Sequence, residues 1–238
     1  MEEKMQETKK EKIELTILMP CLNEEANIVA SIIAAQSFLT KHNIIGEILI
    51  CDNGSTDNSP ALAKESGARV VYEENPGYGN ALRKGIEEAL GEYIIMGDCD
   101  TTYDFTNLMP FLMQLRDGAD FVIGNRFKGG IAKGAMPFSH KYIGVPVLSL
   151  LGRIRYNVEI KDFHCGLRGF RSCIAKEISF TSTGMEFATE LIARFNKEKA
   201  KIVEVPTTLS VSKAPRKPHL KSIRDGIRHI IFMTKRLK

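Results

Sequence analysis

The sequence predicts an α/β fold with a mainly parallel sheet flanked by helices. Short apolar runs rich in Ile and Val alternate with helical patterns through its first half, which is typical of successive strand–helix–strand units. Each helical stretch is long enough for the crossover that parallel neighbours require. Hydrophobic residues make up 43% and charged residues 26% of the 238-residue chain, so a single domain with a substantial core is expected.

The predicted elements follow one another in a regular order along the chain. We predict strands at 13–19, 46–51, 69–73, 92–97 and 120–124, and helices at 25–40, 58–66, 79–90 and 105–117. The glycine- and proline-rich residues 125–160 indicate loop and short helix above the sheet edge. After them we predict a strand near 166–171, a helix at 186–196 and a strand near 201–205.

Three segments are predicted. Residues 1–12 mix charges and lack the apolar stretch of a secretory signal, which indicates a flexible leader. Residues 13–210 are predicted to form the main domain, and residues 211–238 a basic tail. Five apolar residues of the tail recur at three- and four-residue steps, which predicts an amphipathic helix. They are Leu220, Ile223, Ile227, Ile230 and Ile231.

The net charge of +4 is distributed unevenly. Residues 211–238 contain nine Lys or Arg and one Asp, so residues 1–210 are acidic overall. The tail helix either packs on the domain with a solvated charged face or docks on an anionic membrane surface. No helix-turn-helix, zinc or RNA-binding signature accompanies the charge, so no nucleic-acid partner is expected.

Cysteine usage and hydropathy bear on the compartment. The five cysteines form no CxxC pair, and their odd number does not indicate a disulfide framework. The apolar run from Ile143 to Leu151 is too short and too interrupted to cross a bilayer. We expect a cytoplasmic protein that contacts the cytosolic membrane face peripherally.

Polar clusters follow three of the predicted strands. Ligands of open α/β sheets bind beyond the carboxyl ends of the strands, so these clusters are expected to share one site. The sequences are PCLNEE after the first strand, CDNGSTD after the second and GDCD after the fourth.

The two carboxylates of GDCD indicate either solvent or a bound cation, because unpaired carboxylates so close together repel one another. The structural alternative is a strand end at Asp98 and a helix cap at Asp100, Thr101 or Asp104. Magnesium and manganese prefer carboxylate oxygens, and Mg²⁺ commonly completes its coordination with substrate phosphates. A diphosphate ligand would complete such a site.

The motifs PCLNEEANI, CDNGSTDNS, NPGYGNAL, MGDCDTTYD, ADFVIGNRF and DFHCGLRGF, in this order, resemble those of inverting family 2 glycosyltransferases of GT-A fold. Within that family the chain is most similar to polyprenyl-phosphate sugar transferases of the dolichyl-phosphate mannose or glucose synthase type. The resemblance implies a Rossmann-like domain, a UDP- or GDP-linked hexose donor, a polyprenyl-phosphate acceptor and Mg²⁺ or Mn²⁺ as cofactor.

The resemblance also implies roles for the strand-end residues. Pro20, Asn23 and Glu24 would border the nucleotide, and Asp52 would contact its base or ribose. An Asx turn within DNGSTD is the structural alternative for Asp52, and the two roles can coexist.

The resemblance assigns the metal to the DxD pair. Asp98 and Asp100 would be the metal ligands, with Asp98 also beside the nucleotide and Asp100 as the preferred direct ligand and a catalytic residue. Thr102 stands where dolichyl-phosphate mannose synthases have Gln, and Tyr78 where they have a basic residue. The Gln-x-x-Arg-Trp motif of processive synthases is absent, so a polymerising enzyme is not expected.

The acceptor determines which further groups are needed. A lipid monophosphate is already mostly anionic near neutral pH, so it needs cations, and Arg binds phosphate through two hydrogen bonds. Arg126, Arg153 and Arg168 are the candidate ligands of the acceptor phosphate, the first two also as catalytic residues. Lys141 and Arg155 are either further cations or surface charges.

A sugar or protein hydroxyl acceptor would instead need a general base, and Asp162 is the candidate for that catalytic role. Glu190 has a weak site role, since acids suit the start of a helix in any case. His164 beside Cys165 lacks a second ligand pair with zinc-like spacing. A non-catalytic sugar-nucleotide-binding protein is the remaining alternative.

Overall fold

A computed structural model describes residues 12–214 and 222–236 of the protein, and the strands of this part form one seven-stranded sheet. The strands are β1 (Leu15–Cys21), β2 (Gly46–Asp52), β3 (Arg69–Tyr72), β4 (Tyr93–Met96), β5 (Phe121–Asn125), β6 (Arg168–Arg171) and β7 (Ile202–Pro206). Their order in the sheet is β3-β2-β1-β4-β6-β5-β7. Only β6 is antiparallel to its neighbours among these strands. The predicted mainly parallel α/β sheet is confirmed.

Helices connect and flank the strands. They are α1 (Ile28–Lys41), α2 (Ser59–Glu65), α3 (Tyr78–Glu88), α4 (Met109–Arg116), α5 (Arg126–Gly129), α6 (Val145–Tyr156), α7 (Ser172–Glu177), α8 (Phe187–Lys197) and α9 (Ser222–Thr234). The first three lie between successive parallel strands of β1 to β4. This is the arrangement that the alternating sequence pattern predicts.

The region 125–160 is more helical than the sequence predicts. A π-helical turn, His140–Gly144, leads directly into α6, which is 12 residues long. Pro146 lies in the first turn of α6, where the helix has no hydrogen-bond partner for a backbone N–H and proline is therefore tolerated. A residue that seemed to interrupt regular structure instead begins a helix.

The core extends across the whole sheet. The side chains of β1 and β4 are buried almost throughout, as expected for central strands covered on both faces. At the mixed end of the sheet Phe121, Phe170 and Phe195 form an aromatic cluster with ring centroids 4.9–5.9 Å apart. This cluster fastens α8 to the antiparallel strand β6, so the second half of the chain shares the core of the first.

Helix α9 packs on the domain through buried polar contacts. The His229 ring is 5% exposed, meets the Thr189 hydroxyl at 2.8 Å and lies edge-on to the His164 ring, with centroids 4.5 Å apart. Arg155 of α6 donates to the backbone carbonyls of Met233 and Lys235. Arg155 therefore holds α9 against α6.

Parts of the sequence predictions lie outside the described residues. The predicted leader 1–12 does so apart from Lys12, and the tail does so at 215–221, 237 and 238. Leu220 belongs to that part, and the side chain of Ile223 is likewise not described. Among the described helices, none combines the length and apolarity that a bilayer crossing requires.

Acid should weaken the contact between α9 and the domain. Burial lowers the pKa of His229 to about 4, and burial together with the neighbouring His229 lowers the pKa of His164 well below 6.5. Between about pH 6.5 and pH 4 the unfolded chain binds protons that the folded chain does not, so the free energy of unfolding falls as pH drops through that window.

We expect the melting temperature to fall between pH 7 and pH 5, and we expect His229→Gln to reduce this fall. Differential scanning fluorimetry across a pH series measures both slopes. His42→Gln, at the end of α1, is the control and should keep the wild-type slope. An unchanged slope in His229→Gln would show that protonation of His229 does not cause the loss of stability.

Candidate active site

The three polar clusters meet at one edge of the sheet. Strands β2, β1 and β4 are parallel neighbours, with Cys21 opposite Asp52 in the register. The backbone N–H of Asn53 donates to the Cys21 carbonyl at 2.9 Å, and the Cys99 thiol to the Pro20 carbonyl at 3.2 Å. The loops after the three strands therefore touch one another, as predicted.

Asp52 shapes a turn with one carboxylate oxygen and keeps the other buried without a partner. It is 3% exposed, and its Oδ2 accepts hydrogen bonds from the backbone N–H groups of Gly54 and Ser55 at 3.2 Å each. This is the Asx-type turn foreseen as the alternative. Its Oδ1 is buried and has no hydrogen-bond partner in the described part of the chain. A buried acceptor without a partner is costly, and a ligand N–H or O–H would relieve that cost.

Asn23 and Glu24 join the first two loops. Asn23 has a left-handed backbone (φ 55°), and its Oδ1 accepts the backbone N–H of Thr56 at 2.7 Å. The backbone N–H of Glu24 donates to the Ser59 hydroxyl at 2.8 Å. The side chain of Asn23 is therefore used to shape the edge, whereas the predicted roles of Pro20, Asn23 and Glu24 beside a nucleotide stay predictions.

The DxD loop is held in a defined conformation. Asp98 is half-buried, and its Oδ1 accepts the Tyr78 hydroxyl at 3.1 Å. Asp100 is 1% exposed, and its Oδ1 accepts the backbone N–H of Thr102 at 2.9 Å. Thr101, which follows Asp100, has a φ of 63°, which is strained for a β-branched residue.

The helix-cap alternative for this loop does not hold. Helix α4 begins at Met109 rather than near 105, so neither Asp100 nor Thr101 precedes its first turn. Asp104 accepts the backbone N–H of Thr106 at 2.9 Å and forms a separate turn. The DxD carboxylates are therefore not explained by helix capping.

A later segment of the chain crosses this loop. The backbone N–H of Ser210 donates to the Thr102 carbonyl, and the backbone N–H of Lys213 to the Thr101 hydroxyl, each at 2.9 Å. The Ser212 hydroxyl and the Asn27 amide oxygen are 3.3 Å apart. Residues after β7 therefore contribute to the conformation of the strand-end site, which no sequence motif indicated.

Arg126 and Asp162 form a buried ion pair. Asp162 is fully buried, and its oxygens accept Nε and Nη2 of Arg126 at 2.8 Å each and its backbone N–H at 3.0 Å. A carboxylate that accepts three hydrogen bonds from one arginine is poorly suited to take a proton from an acceptor hydroxyl. The prediction of Asp162 as a general base does not agree with this geometry, and Arg126 commits two of its donor nitrogens to the pair.

Arg168 occupies the core. It is 0% exposed, and its guanidinium donates to the backbone carbonyls of Phe163, Cys165 and Ala188. The prediction that Arg168 binds the acceptor phosphate does not agree with this placement, because an acceptor cannot reach the side chain. Its role here is to satisfy carbonyls of the loop before β6.

Arg153 is the predicted phosphate ligand that remains near a surface. It is half-buried on α6, and its Nε has no hydrogen-bond partner among the described residues. It borders an open groove of about 600 Å³ beside the end of α6. The groove is lined by Leu150, Arg153, Ile154, Asn157, Val158, Glu159 and Lys161.

Glu190 has a structural role that the sequence did not reveal. It is 0% exposed, and its carboxylate accepts the backbone N–H groups of Thr181 and Ser182 at distances of 2.7–3.1 Å and Nε of Arg194 at 3.1 Å. It therefore anchors the loop before α8. The spacing of Glu190 and Arg194, one helical turn apart, is the signal that could have indicated a buried pair.

The sequence profile of the family described as Glycosyl transferase family 2 matches residues 16–179, more than two thirds of the chain. The match includes all three strand-end motifs and the Arg126–Asp162 pair. The chain belongs to glycosyl transferase family 2. The family predicted from the order of the motifs is thereby confirmed.

Named relatives of this family 2 chain include proteins of Haloferax volcanii. The low-salt glycan biosynthesis hexosyltransferase Agl6 is 38% identical over 220 residues, which is 92% of this chain. The chain spans 52% of the length of that relative. A dolichyl-phosphate hexose transferase is 31% identical over 196 residues, 81% of each protein.

Solved structures support the fold. Glucosyl-3-phosphoglycerate synthase from Mycobacterium tuberculosis, in complex with Mn²⁺, UDP and glucosyl-3-phosphoglycerate, matches with a TM-score of 0.68 and 22% identity. The match covers 92% of this chain and 78% of that one. The same enzyme with Mg²⁺ and UDP matches with the same TM-score. The predicted GT-A fold is confirmed.

Breaking the buried pair of this family 2 chain should destabilise it. Asp162→Asn leaves the charge of Arg126 buried without its counter-charge, which costs about 3–5 kcal/mol of unfolding free energy. Urea denaturation followed by circular dichroism measures the loss. Asp117→Asn, an exposed residue at the end of α4, should change stability by less than about 0.5 kcal/mol. Equal midpoints for both variants would show that the pair is not structural.

Proposed function

We propose that this family 2 protein transfers a hexose, with inversion at the anomeric carbon, from a UDP- or GDP-linked donor to a polyprenyl phosphate. The observation that carries the proposal is the meeting of Asp98 and Asp100 with Asp52 at the carboxyl edge of β4, β1 and β2. In an open α/β sheet this edge is where a nucleotide binds. The names of the dolichyl-phosphate relatives support the acceptor class.

The nucleoside is proposed to bind at the end of β2. The buried Oδ1 of Asp52 requires a donor, and both an N–H of a base and a ribose hydroxyl provide one. Pro20, Asn23 and Glu24 would border the same nucleotide, since their loop is fastened to the loop after β2. Asp52 would thus orient the sugar-nucleotide through Oδ1, while the hydrogen bonds of its turn to Oδ2 hold the side chain in place.

A divalent cation is proposed to bind at the DxD loop. No group of three or more His, Cys, Asp or Glu within residues 12–214 and 222–236 is arranged to hold a metal ion, so a site of two carboxylates would take its other ligands from a diphosphate and water. That composition suits Mg²⁺ or Mn²⁺, which prefer oxygen. Asp98 and Asp100 would hold the ion, which when bound stabilises the charge of the departing diphosphate.

The acceptor is proposed to be a phosphate because Asp162, the predicted base for a hydroxyl acceptor, is already paired. Asp162 is engaged by Arg126, whereas a phosphate monoester is already anionic and attacks without losing a proton first. Arg153, which lines the groove beside α6, is the proposed ligand of that phosphate. Arg126 would contribute positive charge from its buried pair.

The apolar face of the π-helical turn, α6 and α9 supports a membrane-bound acceptor. Seven large hydrophobic side chains of these elements are 47–72% exposed. They are Tyr142, Ile143, Val147, Leu150, Ile154, Ile227 and Ile231, with exposures of 58%, 60%, 49%, 47%, 72%, 51% and 49% in this order. Such a face suits peripheral contact with the membrane surface that holds a polyprenyl lipid.

Purified protein should form a lipid-linked sugar from polyprenyl phosphate in detergent with one of the labelled UDP- or GDP-hexoses and Mn²⁺. We expect EDTA to abolish the product and Asp100→Asn to lower the rate about 100-fold, since a charge-stabilising group is removed. Thin-layer chromatography of the extracted lipid measures both. Asp104→Asn, in the same segment but engaged in a separate turn, is the control. Absence of a lipid product with every donor tested contradicts the proposal.

The apolar face should bind vesicles that contain anionic phospholipid. Ile143→Asp combined with Ile154→Asp should lower the vesicle-bound fraction by more than about 10-fold, because burying each isoleucine contributes roughly 1.5–3 kcal/mol. Flotation on a density gradient measures the bound fraction. Ile33→Asp, which changes a 56% exposed isoleucine on α1, is the matched control. Equal flotation of both variants would place the membrane contact elsewhere.

A further inference from the structure

We propose that Tyr78 is a positioning residue for Asp98 and thereby sets the affinity of the DxD loop for a divalent cation. The inference rests on the proposed function. Its starting observation is the hydrogen bond from the Tyr78 hydroxyl to Oδ1 of Asp98, 3.1 Å long. Tyr78 stands 20 residues before Asp98 in the chain, so the contact is a tertiary one that joins α3 to the end of β4.

Asp98 is confined on both sides. Tyr78 donates to Oδ1, and Oδ2 lies so close to Gly166 that a Cβ at that position would be 2.9 Å from the oxygen. A carboxylate that is hydrogen-bonded at one oxygen and bordered by the backbone at the other has few rotamers available. It therefore loses little conformational entropy when it binds a cation, which is how a partner outside the coordination sphere raises metal affinity.

The backbone on both sides of Tyr78 packs against residues 182–183. Gly77 has a φ of 142° and lies against the Thr183 carbonyl, and a Cβ at either Gly77 or Gly79 would overlap a backbone oxygen of residues 182–183. The backbone N–H of Gly79 donates to the Thr183 carbonyl at 3.0 Å. The start of α3 is thus packed directly on this loop, main chain against main chain.

The loop on which the start of α3 packs is itself held in place by α8. Glu190 of α8 is fully buried and accepts the backbone N–H groups of Thr181 and Ser182. A continuous series of contacts therefore leads from the core through the loop and the first turn of α3 to the Tyr78 hydroxyl. The backbone of Tyr78 can move relative to Asp98 only if this series is broken.

The chemistry of a phenol suits this task. A phenol donates a hydrogen bond but carries no charge at neutral pH, so it orients the carboxylate without neutralising it. An ammonium or guanidinium in the same place would compete with the cation for Asp98 by direct Coulomb attraction. Tyrosine therefore leaves the full negative charge of Asp98 available to a metal ion.

Mn²⁺ binding in the presence of saturating UDP or GDP tests the inference without an activity assay. Free Mn²⁺ is measured by electron paramagnetic resonance for the wild type, Tyr78→Phe and Tyr93→Phe. Tyr78→Phe should weaken Mn²⁺ binding about 10-fold, the effect typical of removing an outer partner of a metal ligand. Tyr93→Phe, at the opposite end of β4, should bind like the wild type, and both variants should keep the wild-type melting temperature within a few degrees.

A double-mutant cycle with Asp98→Asn tests whether Tyr78 acts through Asp98. If it does, Tyr78→Phe has little further effect on Mn²⁺ binding once Asp98 is replaced, because the two changes remove the same interaction. Fully additive losses, or wild-type affinity in Tyr78→Phe, overturn the inference and leave the proposed function standing. Failure of the wild type to bind Mn²⁺ with either nucleotide overturns the proposed function itself.

Discussion

The parallel pairing of β1 with both β2 and β4 is the constraint on which the rest of the structure depends. It brings three loops that are far apart in sequence to one edge, and it fixes their spacing by backbone hydrogen bonds rather than by side chains. Asp52, Asp98 and Asp100 are then held by short local turns and by Tyr78. The sheet supplies the position of each carboxylate, and the loops supply its orientation.

The antiparallel strand β6 gives the second half of the chain its part in the site. Because it lies between β4 and β5, the loop before it runs back toward the DxD end of β4, where Gly166 meets Asp98. Arg168 at the start of β6 stabilises this loop from within the core by donating to two of its carbonyls, those of Phe163 and Cys165, and it ties the loop to the Ala188 carbonyl of α8. Of the arginines predicted to bind a phosphate, Arg168 thus stabilises this loop from within the core, whereas Arg153 stays partly exposed on α6.

Periodicity and strand-end motifs predicted the parts of the fold governed by local pattern. The first five strands, the crossover helices and the convergence of PCLNEE, CDNGSTD and GDCD follow from hydrophobic spacing and from the rule for parallel strands. The length of α6 was missed because Pro146 reads as a breaker, although it occupies the one turn that tolerates it. Local sequence patterns are sufficient to predict a strand or helix whose formation depends on its own residues.

The basic residues show where sequence reasoning fails. Arg153 and Arg168 look alike in sequence, yet one borders an open groove and the other is enclosed by backbone carbonyls. The same holds for Asp162, whose role is decided by a partner 36 residues away. Burial and pairing of a charge depend on tertiary neighbours, which one sequence without its fold does not reveal.

The contact between the start of α3 and residues 182–183 has a consequence for sequence divergence. The loop meets Gly77 and Gly79 through its main-chain oxygens, so the identity of its side chains matters little at that contact. Neither glycine can gain even a methyl group without displacing the loop. In related chains, substitutions should therefore be common at residues 182–183 and rare at Gly77 and Gly79.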